Sequence, residues 1–365
     1  MDHLLHPIAL TMIPKVGPVT ARQLVSYCGS PRAVFEAGRK ELLAIPGIGP
    51  QITTAVLEQK VLLQAERELE FIDQHGITAC SYLDPGYPER LKPLYDSPVM
   101  LYFQGQADLN ALRTVAIVGT RKPTAYGVSV CEEVIESLAA LNVQIISGLA
   151  FGIDIAAHKK CTELGIPTIG VLGHGLGMVY PGQHRPVARR MMENGGLLTE
   201  FTSQVMPERE HFPLRNRIIA GLCDALVVIE TAEKGGSMIS AFYANEYNRD
   251  VFAVPGRIRD PAARGCNNLI KSHRAALLSE PADIGYVMRW DGPLKGKGLQ
   301  RQLFVELDPE EEIVVNLLRE NPECGIDFLL CRCGMAGSML AAVLLNLEFK
   351  GVVRALPGKR YAWTG

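Results

Sequence analysis

The segment from Thr114 to Gly127 runs from an apolar stretch, Val115 to Val118, into Gly119-Thr120-Arg121 and then past Pro123 into a helical pattern. Consecutive apolar residues closed by a glycine predict a strand buried on both faces. The glycine lets the backbone bend tightly, so that the amides of the turn and of the next helix start face one point. Arg121 adds a two-pronged cationic donor there. Together these groups are suited to holding a phosphate. A second constellation, His211-Phe212-Pro213-Leu214-Arg215-Asn216-Arg217, gathers an aromatic, two arginines and an amide at a helix start, with Arg209 just upstream. An aromatic face beside guanidinium groups holds single nucleic-acid strands with little reading of bases. The competing use of Arg215 and Arg217 is as internal struts to Glu200 and Glu230, and one of the two is expected to serve that way. A third group, Gly235-Gly236-Ser237, offers backbone amides at another helix start.

The ligand that owns such a phosphate decides the function. A dinucleotide fold needs G-x-G-x-x-G after its first strand, with an acidic residue about 20 positions on, and this turn has an arginine where the glycines would be. A Walker loop ending in Gly-Lys-Ser/Thr is also missing from the sequence. Glu200 and Glu230 qualify by type as acid and base, but their positions in the sequence fix no geometry. Asp154 and His158 are spaced to pair across one helical turn, an arrangement that more often fixes a helix start than catalyses. Arg257, Arg259 and Arg264 form either a solvated face or a flank of the same basic patch.

These residues need a scaffold. From about 113 to 290, apolar runs near 114–119, 143–147, 167–172, 196–200, 224–230 and 250–254 alternate with helical patterns. That rhythm predicts an α/β fold with a Rossmann-like, mainly parallel sheet. Its ligands bind beyond the carboxyl ends of the strands, where Gly119, the Ser147-Gly148-Leu149 turn, Glu200 and Glu230 fall. Val99 to Phe103 is expected to add a strand. The expected organisation is a helical domain over 1–80, a Rossmann-like domain over 81–290, a linker over 291–306 and a winged-helix domain over 307–365. In the first, Ile45-Pro46-Gly47-Ile48-Gly49-Pro50 matches the hairpin of a helix-hairpin-helix, echoed at Ile13 to Pro18. These hairpins serve either a phosphate contact or packing alone. In the last, the candidate recognition helix from Ser338 to Lys350 contains no arginine and one terminal lysine. Base reading needs a more polar face, so packing or protein contact is the expectation. Arg354, Lys359 and Arg360 on a two-stranded wing leave room for an accessory DNA contact.

Composition bounds the rest. With 365 residues, 47% hydrophobic and 21% charged, the chain is compact rather than disordered. Its net charge of −2 gives no global pull on nucleic acid, so any such binding requires a local patch. The nine scattered cysteines lack zinc or redox spacing and read as incidental thiols. No apolar run approaches the roughly 20 residues that span a bilayer, and no secretory pattern opens the chain. A cytoplasmic protein with no membrane association is expected.

In this order Gly119-Thr120-Arg121-x-Pro123, Ser147-Gly148-Leu149 through Asp154 to His158, Val179-Tyr180-Pro181, Phe212 to Gly221, Gly235-x-Ser237, Val251 to Gly256 and Gly265 to Ile270 resemble the DNA-processing protein A family, also called Smf. The resemblance covers the central domain, and the flanking units fit that family's arrangement. It implies a non-enzymatic, cofactor-free mediator that binds and protects incoming single-stranded DNA in natural transformation and loads the RecA recombinase on it. It further implies a homodimer formed through the Rossmann-like domain. Carried over by position, Arg121 clasps a phosphate, Arg209 fills a basic position, Phe212 offers a stacking face and the Gly235-Gly236-Ser237 turn offers amides. Two departures stand out. Gly182 follows Tyr180-Pro181 where the family often has a cation, leaving His184 or Arg185 to serve, and Lys271-Ser272-His273-Arg274-Ala275 replaces a common Gly-Ala turn. The alternative is a nucleotide-cleaving or nucleotide-binding enzyme of the lysine-decarboxylase-like Rossmann group, whose glycine loop survives here without the carboxylate that follows it.

Overall fold

The computed structural model describes residues 2–290, 307–321, 323–350, 352–356 and 360–363, so the expected linker and Lys359 lie outside the described residues. The chain divides into two compact units, Met1–Pro293 and Leu294–Gly365.

The larger unit is built on strands β1 (Thr78–Ser81), β2 (Met100–Gly105), β3 (Thr114–Val118), β4 (Gln144–Ser147), β5 (Thr168–Val171), β6 (Gly196–Thr199), β7 (Ala225–Val228), β8 (Asp250–Ala253) and β9 (Ala276–Leu277). They form one sheet in the order β1-β2-β6-β5-β4-β3-β7-β8-β9. The pairings from β6 through β9 are parallel, whereas β1 and β2 add antiparallel strands at one edge. The short edge strands β1 and β9 carry no long apolar run, which is why periodicity in the sequence does not reveal them.

The inner strands are apolar on both faces because both are covered. Val115 and Ile117 of β3 pack with Cys131, Ile135 and Ala157 from the helices Ala125–Ala139 and Ile153–Leu164. Ala116 and Val118 face Ile218, Ile219 and Ala241 from the helices His211–Leu222 and Ser237–Glu246. From β3 the chain winds one way through β4, β5 and β6, then crosses back to lay β7 against the other side of β3. The order therefore reverses between β3 and β7, and a crevice opens beyond their carboxyl ends.

Between Leu5 and Gln74 the chain forms six helices joined by short turns, and those at Pro18 and Pro50 each start with proline at the first turn behind Gly17 or Gly49. Their apolar core is continuous with Val99, Met100 and Tyr102 at the sheet edge. Glu68 is buried and accepts from the Ser203 N–H at 2.8 Å and the Ser203 hydroxyl at 2.7 Å, which ties the helix Lys60–Gln74 to the loop after β6. The helical residues thus belong to the same compact unit as the sheet.

The smaller unit has the helices Pro309–Glu320, Ile326–Cys333 and Gly337–Phe349 and a three-stranded sheet. Its strands are β10 (Glu323–Gly325), β11 (Val353–Leu356) and β12 (Arg360–Trp363), in the order β10-β12-β11. The wing expected as two strands thus has a third, too short to read from the sequence. Asp308 caps the first helix, with Glu311 reaching back to its N–H at 3.0 Å. Among the described residues no single helix is long and apolar enough to cross a membrane.

Candidate functional site

Beyond β3 and β7 lies a cleft of 690 Å³ lined by Gly119, Thr120, Arg121, Arg209, Phe212, Asn216 and Gly235 to Ser237, among others. The turn after β3 is held from both sides. The Thr120 N–H donates to the Glu230 carbonyl at 2.6 Å, and the Ile153 N–H donates to the Thr120 carbonyl at 3.2 Å. Gly152, at φ +83°, packs so tightly on Thr120 and Arg121 that no side chain fits there. Past the turn, Thr124 caps the following helix by accepting from the Gly127 N–H at 3.1 Å. The buried Glu230 in turn accepts from the Thr124 N–H at 2.9 Å and hydroxyl at 2.6 Å. Glu230 is thus a clamp for this turn and pairs with neither arginine.

Arg121 itself is exposed, with its guanidinium carbon 5.3 Å from the centre of the Phe212 ring. Phe212 lies 6.3 Å from the ring of Tyr180, which is 47% exposed, so two aromatic faces border the cleft. Arg209 is exposed on the same cleft. Asn216 donates to the Gly236 carbonyl at 3.2 Å and so fixes the glycine turn to the helix carrying Phe212. Ser237, 7% exposed, opens the next helix, and its hydroxyl has no partner among the described residues. A buried, unsatisfied hydroxyl at a helix N-terminus lining a cleft is an acceptor-seeking group where an anion is favoured.

The two arginines of the 211–217 segment are both buried, but Arg215 lines the cleft and Arg217 does not. Arg217 donates to the Asp96 carbonyl at 2.7 Å and forms an ion pair with Glu200, so it is the one strut expected of the two arginines, and it does not line the cleft as a DNA-binding cation would. Its direction is set by its place on the helix, two positions from Arg215 and facing the other way. Arg215 is 3% exposed and donates to the carbonyls of Gly148, at 2.5 Å, and Val171. Burial lowers its pKa to about 10, which leaves it charged at neutral pH, and the nearby Asp154 opposes that fall. Burial raises the Asp154 pKa, with Arg215 pulling the other way. Gly148 is buried under the Arg215 guanidinium, where a side chain would collide, so it makes room for the strut.

Other expected residues stand aside. His211 packs at a tilt against Phe201 with ring centres 4.5 Å apart, and neither it nor Pro123 lines the cleft. His158 is fully buried and bonds Thr168 at 2.8 Å in place of the expected Asp154. His184 is buried against the Leu149 carbonyl at 2.9 Å, which leaves Arg185 as the exposed cation after Tyr180-Pro181. Glu200 faces Arg217, and burial raises its pKa. Neither it nor Glu230 lines the cleft. Among the cleft residues that sequence reasoning gave no role, Thr231 and Ser240 carry no spacing signal of their own, and Tyr180 was read only as part of the Val179-Tyr180-Pro181 motif.

Fold and site define a Rossmann-like protein whose cleft, at the point where strand order reverses, presents guanidinium, aromatic and helix-start groups, with a tandem helical module and a winged helix attached. Residues 78–289 match the model of the DNA recombination-mediator protein A family, residues 8–59 that of a SAM-like helix-hairpin-helix tandem, and residues 302–359 that of the DprA winged helix domain. The chain is 32% identical to Protein Smf of Synechocystis sp. over 97% of each chain. The structure of DNA processing protein A from Streptococcus pneumoniae aligns with TM-score 0.66 at 30% identity, covering 78% of this chain and 96% of that one. The Helicobacter pylori protein, whose structure is described as revealing a single-stranded DNA binding mode, aligns with TM-score 0.54 at 28% identity over 59% of this chain and 96% of that one. The chain belongs to the DNA recombination-mediator protein A family and has its DNA-processing role.

Proposed function

We propose that the cleft binds single-stranded DNA with little sequence preference, and that the chain, as a homodimer through its Rossmann-like unit, delivers the strand to a RecA recombinase in the cytoplasm during natural transformation. The observation that carries this reading is the exposed Arg121 set 5.3 Å over Phe212. Two ring faces and a cation with no ion-pair partner among the described residues suit a chain of stacked bases joined by phosphates. Arg209 and the Gly235-Gly236-Ser237 turn supply further phosphate contacts. The relative described as binding single-stranded DNA supports the choice of strand.

The enzymatic alternative needs carboxylates at the ligand. Glu230 is engaged by Thr124 and Glu200 by Arg217, so both carboxylates serve as structural clamps. In the smaller unit, the helix Gly337–Phe349 exposes Ser338, Met339, Ala341, Ala342, Leu345, Asn346 and Glu348, a face of mostly small and apolar residues with one acid and no cation, suited to a protein partner rather than to base edges. Competition binding at moderate salt tests the main reading. Labelled oligo-dT is expected to resist an excess of duplex of equal length, and equal displacement by duplex and single strand would sink the proposal.

A further inference from the structure

The loop after β8 lies at the same end of the sheet as the cleft, one strand further along. It carries Arg257, Arg259 and Arg264, all exposed, against a single acid, Asp260. None of the three guanidinium groups has a hydrogen-bond or ion-pair partner among the described residues, whereas Arg90, Arg215, Arg217 and Arg249 are all engaged. Asp260 is occupied in the loop itself, accepting from the Ala262 N–H at 2.9 Å. Ile258, between two of the arginines, is 90% exposed.

The loop is also held rigidly. Asn267 clamps its start by accepting from the Gly256 N–H at 3.1 Å and donating to the Gly256 carbonyl at 3.0 Å. Turn bonds from the Asp260 N–H to Arg257 and from the Ala263 N–H to Asp260, at 3.0 and 3.1 Å, hold its middle. The loop end is joined to the cleft through Thr231. The Gly265 N–H donates to the Thr231 carbonyl at 2.9 Å, and both Gly265 and the cleft residue Gly235 approach Thr231 too closely for a side chain. Arg264 is therefore one residue from a contact with the cleft wall.

We infer that this loop is a second phosphate track, which takes the backbone of a single strand leaving the cleft over Gly235 and Thr231. Arg257, Arg259 and Arg264 neutralise phosphates of the nucleotides beyond those in the cleft, and Ile258 offers an aliphatic surface to a base. The inference rests on the single-strand reading above. A loop whose backbone is already held by these bonds loses little backbone freedom on binding, which offsets part of the cost of ordering the three arginine side chains and favours its use as a contact surface.

The test compares full-length protein with a triple variant, Arg257→Ala, Arg259→Ala and Arg264→Ala, on oligo-dT of ~6 and ~20 nucleotides, lengths that bracket a single site. For the longer strand, affinity is expected to fall about tenfold and the salt slope by about 2, as loss of three phosphate contacts requires. The shorter strand should bind as before, and a triple lysine variant should keep most of the slope. An unchanged slope on the long strand, with the wild type binding normally, overturns the track, and equal loss on both strands places the arginines in the cleft and also overturns it. If the wild type itself binds neither strand, the underlying single-strand reading has failed.

Discussion

Arg121 and Arg217 show how environment divides one residue type between two duties. Arg121 is exposed over an aromatic ring, and Arg217 is buried against Glu200. Removing Glu200 would strand a buried guanidinium, typically worth about 3 to 5 kcal/mol. Replacing Arg121 should instead leave the fold intact. Arg121→Ala is expected to weaken single-strand binding by about 1 to 3 kcal/mol and to make its salt dependence shallower, measured by titration across a salt series. His158 makes a prediction about stability alone. Burial lowers its pKa to about 3, so between that value and the ordinary 6.5 the unfolded chain binds a proton that the folded chain refuses. Stability must then fall as the pH drops through this window, with a slope of up to about 1.4 kcal/mol per pH unit. The raised pKa values of Asp154 and Glu200 act in the opposite sense, so the clean readout is a difference. Denaturant melts of His158→Gln should lose less stability than the wild type between pH 6.5 and 4.

At the level of elements, the inner parallel strands β3 to β8 were readable because buried strands need unbroken apolar runs. The Gly119 turn was readable because only a residue without a side chain fits against Ile153. The replaced turn after helix Arg264–Lys271 shows the converse. It forms with His273 at φ +55°, bonded from the His273 N–H to the Ile270 carbonyl at 3.0 Å and from the Arg274 N–H to the Leu269 carbonyl at 2.9 Å. A side chain in the left-handed region costs roughly 1 to 2 kcal/mol, part of which a glycine returns through its freer unfolded state. His273→Gly is therefore expected to raise stability by up to about 1 kcal/mol in chemical denaturation; a loss would mean that the imidazole has a contact of its own. The edge strands β1 and β9 went unseen because their place is decided by partners distant in sequence.

At the scale of the whole molecule, the proposed division of labour puts strand binding in Met1–Pro293 and partner contact in the winged helix. A chain ending after Pro293 should keep its affinity for oligo-dT within about threefold, because the exposed helix face in the smaller unit lacks the cations that phosphate binding requires. A loss well beyond threefold in the same titration would assign DNA contacts to that unit. The sequence by itself determined the alternation of strands and helices, the tight glycine turns at the strand ends and the family, since burial periodicity and tight glycine turns are local demands on residue type. Which arginine reaches the cleft, what Glu230 clamps and how the 257–264 loop adjoins Thr231 were decided only by the tertiary structure. Those assignments depend on which side of a helix a residue faces and on which strand lies beside which, and the reversal of strand order between β3 and β7 sets both.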